Sequence, residues 1–515
     1  MRRCSGSCQL PQQRRAHSVL AKAAGGDLPL AVSIIVHAAD LFVKNLRTRL
    51  PFRYGIATMT RVPHLVVRLT IETGGRIQHG CSADQMPPKW FTKDPDTAYR
   101  DDLAEMVGVI RHACEAALVL RSRKTVFGLW EELYAAQTAW AKAHRIPPLL
   151  SNFGTSLVER ALIDGFCRAH GKTFSQAVRE NALGFEAGVF HDELAGVTPA
   201  DFLPATPLRS IAVRHTVGLA DPLNEDEIEN GGRVRDGLPQ SLEAVIRDYG
   251  VTHFKIKLCG EISRDLTWLR GIAKVLAAGV PDAAFTLDGN ENYRAVAPFR
   301  ALWDEMLGDP QIAILLRGLI FVEQPLHRDV ALSEETAAQL LAWSERPPII
   351  IDESDAEFSS LPTALASGYV GTSHKNCKGV FKGLTNAALI AHRRRADPSV
   401  PLHLSAEDLS NVGPIALPQD LAVLATLGIP HAERNGHHYF AGLSQFSPAI
   451  QSAAQIAHAD LYEPHPDGFP MARIRAGRME IGSVIDAPFG VAFEPDLRGF
   501  TPLGEWSPES LDAEP

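Results

Sequence analysis

Charged side chains end several of the apolar runs in the second half of the chain, and their types and spacing are suited to catalysis. In chain order they are Lys255, Lys257, Asp288, Glu323, Asp352, Glu353 and Lys375. A charge at the end of a buried strand costs free energy unless it is paired or bound to a metal ion. One such residue would most simply form a salt bridge, but their repetition predicts a functional site.

Three carboxylates, Asp288, Glu323 and Asp352, follow three consecutive apolar runs. If these runs are neighbouring strands, the carboxylates converge and repel one another, and a divalent cation would relieve that repulsion. A set of oxygen ligands favours Mg²⁺, with Mn²⁺ as an alternative, over Zn²⁺. We therefore predict a site for one divalent cation.

Lysines flank this predicted metal site. Lys257 ends the second run and Lys375 the sixth, so in a ring of eight strands the two lie opposite each other. A metal between two lysines suits removal of a proton next to a carboxylate, because the metal stabilises the enediolate and a lysine takes the proton. Neighbouring cations would lower the pKa of that lysine. Lys255 points the same way as Lys257 on a strand, so we predict that it tunes this pKa and binds substrate oxygen.

Eight short apolar runs must position these residues. They cover residues 208–218, 252–258, 283–288, 319–324, 348–353, 368–375, 400–405 and 429–433. Helical periods, such as the one from Ile262 to Leu276, separate the runs. Successive β-α units imply parallel strands, and eight of them predict an α/β fold of the (β/α)8 type, a TIM barrel with its active site at the carboxyl ends of the strands.

The first part of the chain has a different rhythm. Residues 64–72 alternate apolar and polar side chains before Gly74 and Gly75, which predicts a β-hairpin, and residues 101–121 have a helical period. This indicates an α+β domain. Alternation returns in residues 472–483, which we predict to pair back onto that first domain.

The motifs together resemble the enolase superfamily, in particular the muconate-lactonizing-enzyme-like subgroup of the mandelate racemase/muconate lactonizing enzyme family. They are K-x-K at 255–257, D-G-N at 288–290, E-Q-P at 323–325, D-E-S at 352–354 and the lysine of the sixth strand. The resemblance spans about residues 30–490. It implies a modified (β/α)7β barrel under an α+β capping domain, Mg²⁺ on Asp288, Glu323 and Asp352, and acid/base roles for Lys257 and Lys375.

The resemblance also implies an organisation of the whole chain. We predict a disordered basic leader at 1–29, a capping domain at 30–150, the catalytic barrel at 151–440, and a segment at 441–515 that completes the cap and ends in an acidic tail. Residues 52–54 and 85–91 are predicted to form lid loops.

The run that follows the sixth strand departs from the family pattern. The family usually has Gly-Gly after the lysine, whereas this chain has single glycines and two rival lysines, Lys378 and Lys382. Lys375 remains the predicted base because it lies directly at the strand end. Further candidate substrate-binding residues at the rim are Asn290, Glu353, Glu407 and Glu433.

Composition limits the other possibilities. The 515 residues are 45% hydrophobic and 22% charged, and the formal charge of −9 gives no general attraction to nucleic acid or an anionic membrane. There is no apolar run of about 18 residues, and the seven cysteines have no disulfide-scaffold or metal-site spacing. We therefore predict a cytoplasmic enzyme with a small-molecule carboxylate substrate, and a homo-oligomer by resemblance.

Several reactions fit these residues. A lysine on each face suits racemisation or epimerisation. One base with one acid suits β-elimination or ring opening. The two lysines favour racemisation, epimerisation or cycloisomerisation. An acid-sugar-type dehydratase is an alternative on the same fold, although no His-Asp dyad is convincingly placed. Two further alternatives need no metal ion. One is a Schiff-base lyase with Lys257 or Lys375 as nucleophile, and the other is a non-catalytic barrel.

Overall fold

The computed structural model of the protein describes residues 33–228 and 231–512. The predicted leader at 1–29 lies outside the described residues. Within the described ranges, no helix is both long and apolar enough to cross a membrane.

An antiparallel sheet covered by helices forms the N-terminal part. Its strands are β1 (Ile34–Tyr54), β2 (Ala57–Thr73), β3 (Arg76–Gln85) and β4 (Ser122–Arg123), and its helices are α1 (Tyr99–Leu120), α2 (Val126–His144), α3 (Pro148–His170), α4 (Phe174–Arg179) and α5 (Pro199–Phe202). β2 and β3 form the hairpin that the alternation indicates. Gly74 and Gly75 join them with positive φ at both positions, which a two-residue hairpin turn of this twist requires.

Helix α3 is buried on almost every side, because it packs against β2, β3, α1 and α2. Two glycines allow the helix and the sheet to approach this closely. A Cβ on Gly80 of β3 would lie 2.0 Å from the carbonyl oxygen of Ala161, and one on Gly165 would lie 2.7 Å from a methyl carbon of Ile71. The sheet and α3 therefore form one packed unit.

Eight parallel strands follow at the predicted places. They are β5 (Ser210–Val217), β6 (His253–Lys257), β7 (Ala284–Asp288), β8 (Leu319–Glu323), β9 (Ile349–Ile350), β10 (Gly371–His374), β11 (His403–Ala406) and β12 (His431–Glu433). Pairing runs from β12 through β5 to β9, and β10 pairs with β11. A parallel bridge between Ile351 and Thr372 connects the two sets, and β11 lies beside β12. The strands therefore close into the predicted barrel.

Helices fill every connection between consecutive barrel strands. They are α6 (Leu242–Tyr249), α7 (Ile262–Gly279), α8 (Val296–Gly308), α9 (Pro310–Leu315), α10 (Arg328–Ala331), α11 (Glu334–Ala342), α12 (Ser360–Ala366), α13 (Val380–Ala396) and α14 (Ala416–Leu427). The single turn α15 (Gly436–Tyr439) follows the eighth strand. Seven helical connections between eight strands match the predicted (β/α)7β pattern.

The C-terminal segment contacts both parts of the molecule. Its elements are α16 (Pro448–Ala457), β13 (Tyr462–Pro464), β14 (Pro470–Ala472), β15 (Arg478–Glu480), α17 (Gly482–Ile485) and β16 (Thr501–Pro502). β15 pairs antiparallel with barrel strand β5, so the prediction that residues 472–483 pair with the first domain is wrong. Alternation identifies a half-buried strand but not the edge it joins. β16, later in the chain, does pair with β1.

Candidate active site

The parallel register of the barrel brings the predicted residues together at one rim. Lys257 of β6 lies opposite Asp288 of β7, and Asp288 lies opposite Glu323 of β8. β9 continues the sheet beside β8, and Asp352 follows it directly. These side chains are all buried, so their charges must be balanced within the site.

Lys255 lies at the centre of this charge cluster. Its Nζ is within 3.0 Å of one oxygen of each of four carboxylates, those of Asp288, Glu323, Glu407 and Glu433. Burial alone would lower the pKa of Lys255, but the four carboxylates raise it well above its ordinary value. Lys255 therefore carries its charge and holds the carboxylates of four different strand ends together.

Three buried carboxylates form a group that matches a metal site. Oxygens of Glu323, Asp352 and Glu407 all lie within 4.8 Å of one another. Glu323 and Asp352 belong to the predicted ligand set, Glu407 does not, and Asp288 lies outside this group. Asp288 instead contacts Lys257 at 2.6 Å and Lys255 at 3.0 Å. Sequence had assigned Glu407 to the substrate.

Glu323 shows most clearly that this group suits a cation. It is fully buried, and neither of its side-chain oxygens has a hydrogen-bond partner, although Lys255 Nζ lies 3.0 Å from one of them. Burial and the adjacent charge of Glu407 raise the pKa of Glu323 well above its ordinary value. A buried carboxyl group that is short of hydrogen-bond donors, in a cluster of oxygen ligands, fits Mg²⁺ or Mn²⁺.

Lys375 and Lys378 differ in what they contact. Lys378 donates to the backbone oxygens of Asp352 and Ser373 and to the carboxylate of Asp352, at 2.7–2.8 Å, which uses all three of its N–H groups. Lys375 Nζ contacts Asp352 at 2.7 Å and Glu407 at 2.9 Å. Lys378 is thus bonded to two backbone oxygens and one carboxylate, whereas the contacts of Lys375 are with two carboxylates.

An aromatic side chain lies beside Lys375. The Nζ of Lys375 is 4.7 Å from the centre of the Trp90 ring, a cation–π distance. Burial would lower the pKa of Lys375, but Asp352 and Glu407 raise it well above its ordinary value. The remaining rival, Lys382, pairs with Asp355.

The other candidate substrate-binding residues surround the same space. Asn290 has a left-handed backbone (φ 43°), and its N–H donates to Asp288 at 2.8 Å. Burial and then the charge of Asp352 raise the pKa of Glu353 to about 8, and one oxygen of Glu353 has no hydrogen-bond partner. Glu433 accepts from Lys255 at 2.9 Å. All three line the cavity at the rim, whereas Glu407 lies in the charge cluster beneath it.

The cavity has a volume of about 40 Å³, room for a few water molecules. Its barrel side carries Lys257, Asp288 and Asp352, and its opposite side is largely apolar. The apolar side comes from the N-terminal part through Phe52, Tyr54, Met59, Pro87 and Trp90. The two segments predicted as lid loops therefore both contribute to this cavity.

Two arginines near the site were not predicted from the sequence, one in the charge cluster and one that contacts the apolar side of the cavity. Arg214 in β5 is fully buried and pairs with Glu407 at 3.3 Å, and an arginine inside an apolar strand was the available signal. Arg328 of α10 donates to the backbone oxygens of Trp90 and Phe91. Nothing in the local sequence connects an arginine with a segment so far away along the chain.

Solved structures with a similar fold include a mandelate racemase/muconate lactonizing protein, a muconate lactonizing enzyme and an enolase. A mandelate racemase/muconate lactonizing protein from Herpetosiphon aurantiacus has a TM-score of 0.55 and 18% identity, over 91% of this chain and 100% of that one. Muconate lactonizing enzyme from Pseudomonas fluorescens, complexed with muconolactone, has a TM-score of 0.53 and 15% identity, over 87% and 94%.

A third structure contains a metal ion and a small acid. It is an enolase from Bradyrhizobium complexed with magnesium and mandelic acid, with a TM-score of 0.50 and 15% identity, over 87% of this chain and 93% of that one. No protein-family sequence model and no curated protein sequence matches the chain. Likeness at these identities establishes the fold, and the predicted barrel of the (β/α)8 type is confirmed.

Proposed function

We propose that the protein is a divalent-cation-dependent enzyme that removes the α-proton of a small carboxylate substrate. The intermediate is then either protonated again or rearranged by closing or opening a ring in the substrate. The products would be those of racemisation, epimerisation or cycloisomerisation. The proposal includes Lys257 and Lys375 as acid/base residues.

The proposal rests on the cluster of three carboxylates from Glu323, Asp352 and Glu407. In the described part of the chain, both oxygens of Glu323 lack hydrogen-bond partners. These residues would hold Mg²⁺, or Mn²⁺ in its place, and Asp288 remains a fourth candidate because it lies opposite Glu323 in the register. A bound divalent cation would stabilise the negative charge that develops on a substrate carboxylate when its α-proton is lost.

The chain's own residues then divide the remaining work. Lys257 on the second barrel strand and Lys375 on the sixth lie on opposite sides of the ring, so they approach a bound substrate from two faces. Lys255 holds the carboxylates in place and supplies positive charge. The apolar side of the cavity, including Trp90, excludes water from the space between the lysines.

The ligands of the solved neighbours support the substrate class. One neighbour binds muconolactone and another binds mandelic acid together with magnesium. The absence of strong basic groups on its apolar side favours a substrate whose only acidic group is the reacting carboxylate.

The geometry gives less support to the alternatives. A Schiff-base lyase needs no metal ion, so the three carboxylates of Glu323, Asp352 and Glu407 would have no role in it. For a dehydratase, the nearest histidine to the sixth strand end is His374, whose ring bonds to Asn376 rather than to a carboxylate. A non-catalytic barrel has no need for a cluster of buried carboxylates in which Glu323 lacks hydrogen-bond partners.

Proton exchange tests the proposal directly. The protein is incubated in D2O with Mg²⁺ and a panel of carboxylic acids, and deuterium at the α-carbon is measured by mass spectrometry. We expect exchange with at least one acid, and we expect EDTA to abolish it. Exchange that EDTA does not affect, or no exchange with any acid, would contradict the proposal.

Variants then assign the two faces. Lys257→Met and Lys375→Met remove the charge but keep most of the side-chain volume, and each should abolish exchange on one face. Lys274→Met, at an exposed position on α7, is the matched control and should exchange as the unaltered protein does. If Lys378→Met is inactive and Lys375→Met is not, the assignment of the base is wrong.

A further inference from the structure

The segment formed by residues 86–93, here called the lid segment, is held by side-chain donors at four of its carbonyl oxygens. Tyr99 donates to the oxygen of Met86 at 2.6 Å, and Tyr54 donates to the oxygen of Pro88 at 2.8 Å. These two donors come from the N-terminal part itself. They fix the beginning of the lid segment relative to its own domain.

The end of the lid segment is held by the barrel instead. Arg328 of α10 donates one N–H to the oxygen of Phe91 at 2.8 Å and another to the oxygen of Trp90 at 3.0 Å. The same guanidinium forms a bidentate pair with Glu291, at 2.7 Å to each carboxylate oxygen. Arg328 therefore uses both edges of its planar group, one on the lid segment and one on the barrel.

Glu291 is itself held rigidly. It follows Asn290, both residues have positive φ (60° and 43°), and its N–H donates to the oxygen of Gln324 at 2.8 Å. Non-glycine residues in this region are strained, and such strain persists where the surroundings impose it. Lys93, at the end of the lid segment, donates to the oxygen of Asn290. The turn after the third barrel strand is thus a fixed anchor.

This anchor has a consequence at the reactive lysine. Trp90 packs edge-on against Phe91, and its ring lies 4.7 Å from Lys375 Nζ. We propose that Arg328 and Glu291 are positioning residues that fix the lid segment so that the Trp90 ring lies over Lys375. The role assigned to Lys375 rests on the proposed function, but the fixing of the lid segment does not.

Amide hydrogen exchange tests the structural part without substrate. In Arg328→Met we expect exchange in peptides covering 86–93 to rise about tenfold or more, with no change in peptides from β2. Glu291→Gln should give a smaller rise in the same peptides. Arg294→Met, in an exposed pair with Asp329, is the matched control and should change neither. Unchanged protection of 86–93 in a folded Arg328→Met protein would overturn the proposal.

Steady-state kinetics tests the effect on the lysine. Arg328→Met should lower kcat for the Lys375 face by about 10- to 100-fold with little change in KM, and should spare the Lys257 face. The loss in the double variant with Trp90→Phe should be no greater than the larger single loss, because both act through the ring. Equal losses on both faces would overturn the positioning role. Arg328→Lys keeps the positive charge but lacks the planar guanidinium that bonds to Glu291 and the lid segment together. A folded Arg328→Lys protein with the same loss of kcat would therefore show lost positioning rather than misfolding.

These outcomes are distinguishable from failure of the proposed function. If no acid exchanges its α-proton, the hydrogen-exchange arm still decides whether the pair fixes the lid segment. If exchange occurs but does not depend on Lys375, Trp90 positions a residue that the reaction does not use, and the second half of the proposal is wrong.

Discussion

Lys255 balances more negative charge than any other side chain of the candidate active site. Removing one partner from a buried ion cluster leaves uncompensated charge, which is far more costly than the net value of the pair itself. Lys255→Met should therefore destabilise the protein by about 3–5 kcal/mol, measured by denaturant unfolding. Lys274→Met should be neutral. If Lys255→Met is as stable as the unaltered protein, the four carboxylates do not depend on Lys255.

The cluster of three carboxylates contains Glu407 and not Asp288, which leads to a second prediction about single residues. Glu407→Gln should weaken Mg²⁺ binding about tenfold or more, because it removes a charged oxygen ligand. Isothermal titration calorimetry measures this directly, with Asp288→Asn as the comparison. A large loss in Asp288→Asn with none in Glu407→Gln would favour the set of ligands that family resemblance implies.

The sequence predicted which residue types converge, because charge at the end of an apolar strand is costly and therefore informative. It could not predict where each side chain turns. Glu407 contacts Lys375, which follows the preceding strand, and also Lys255, which belongs to the second barrel strand, far away along the chain. Trp90 reaches Lys375 from another part of the molecule altogether. Such contacts depend on packing across the barrel rather than on local pattern.

At the scale of elements, the contact between α3 and β3 depends on a missing side chain. Gly80→Ala would place a methyl group 2.0 Å from a backbone oxygen of α3, so either the helix or the strand must move. We expect a loss of about 1–3 kcal/mol, the cost of overpacking, in denaturant unfolding. Gly108→Ala in α1 is the matched control, since a Cβ there meets nothing within 4 Å, and it should stabilise by up to about 1 kcal/mol.

Helix α3 also supplies a buried acid to a neighbouring helix. Glu159 accepts from the N–H groups of Val380 and Phe381, at 2.9 and 2.7 Å, at the start of α13. Burial is the main influence and raises the pKa of Glu159 to about 7, although the two donors lower it. The folded protein therefore holds this proton more tightly than the unfolded chain, in which a glutamate titrates near 4.3.

The sign follows from that difference. This contribution to stability is complete below about pH 4.3 and is lost as the pH rises towards 7, because the folded protein retains a proton that the unfolded chain releases. Relative to the unaltered protein, Glu159→Gln should gain about 3 kcal/mol of unfolding free energy between pH 4.3 and 7, and no more above pH 7. Urea titrations at several pH values measure it. A pH-independent difference would contradict the raised pKa.

Element positions were largely predictable, and element partners were less so. Each barrel strand lies where an apolar run predicted it, because a buried strand must be apolar and a helix must follow it to reach the next parallel strand. β15 was placed correctly as a strand but given the wrong partner, since one polar and one apolar face suit either sheet. The boundary between cap and barrel remains a prediction.

At the scale of the whole molecule, metal binding should act as a stabiliser. A cation that binds only the folded protein stabilises it by about 2.7 kcal/mol when present at 100 times its Kd. We therefore expect Mg²⁺ to raise the unfolding free energy and EDTA to reverse the effect. Glu323→Gln, which neutralises the carboxylate without hydrogen-bond partners, should remove the response. A response that persists in this variant would place the cation elsewhere.

The pairing of β16 with β1 also has a consequence in time. The edge of β1 that β16 covers is translated near the start of the chain, and its partner comes near the end. At roughly 5–20 residues per second, a ribosome needs on the order of tens of seconds to make the stretch between them. Until then that edge offers unpaired N–H and C=O groups to other chains. We expect slower translation or higher expression to increase aggregation of nascent protein.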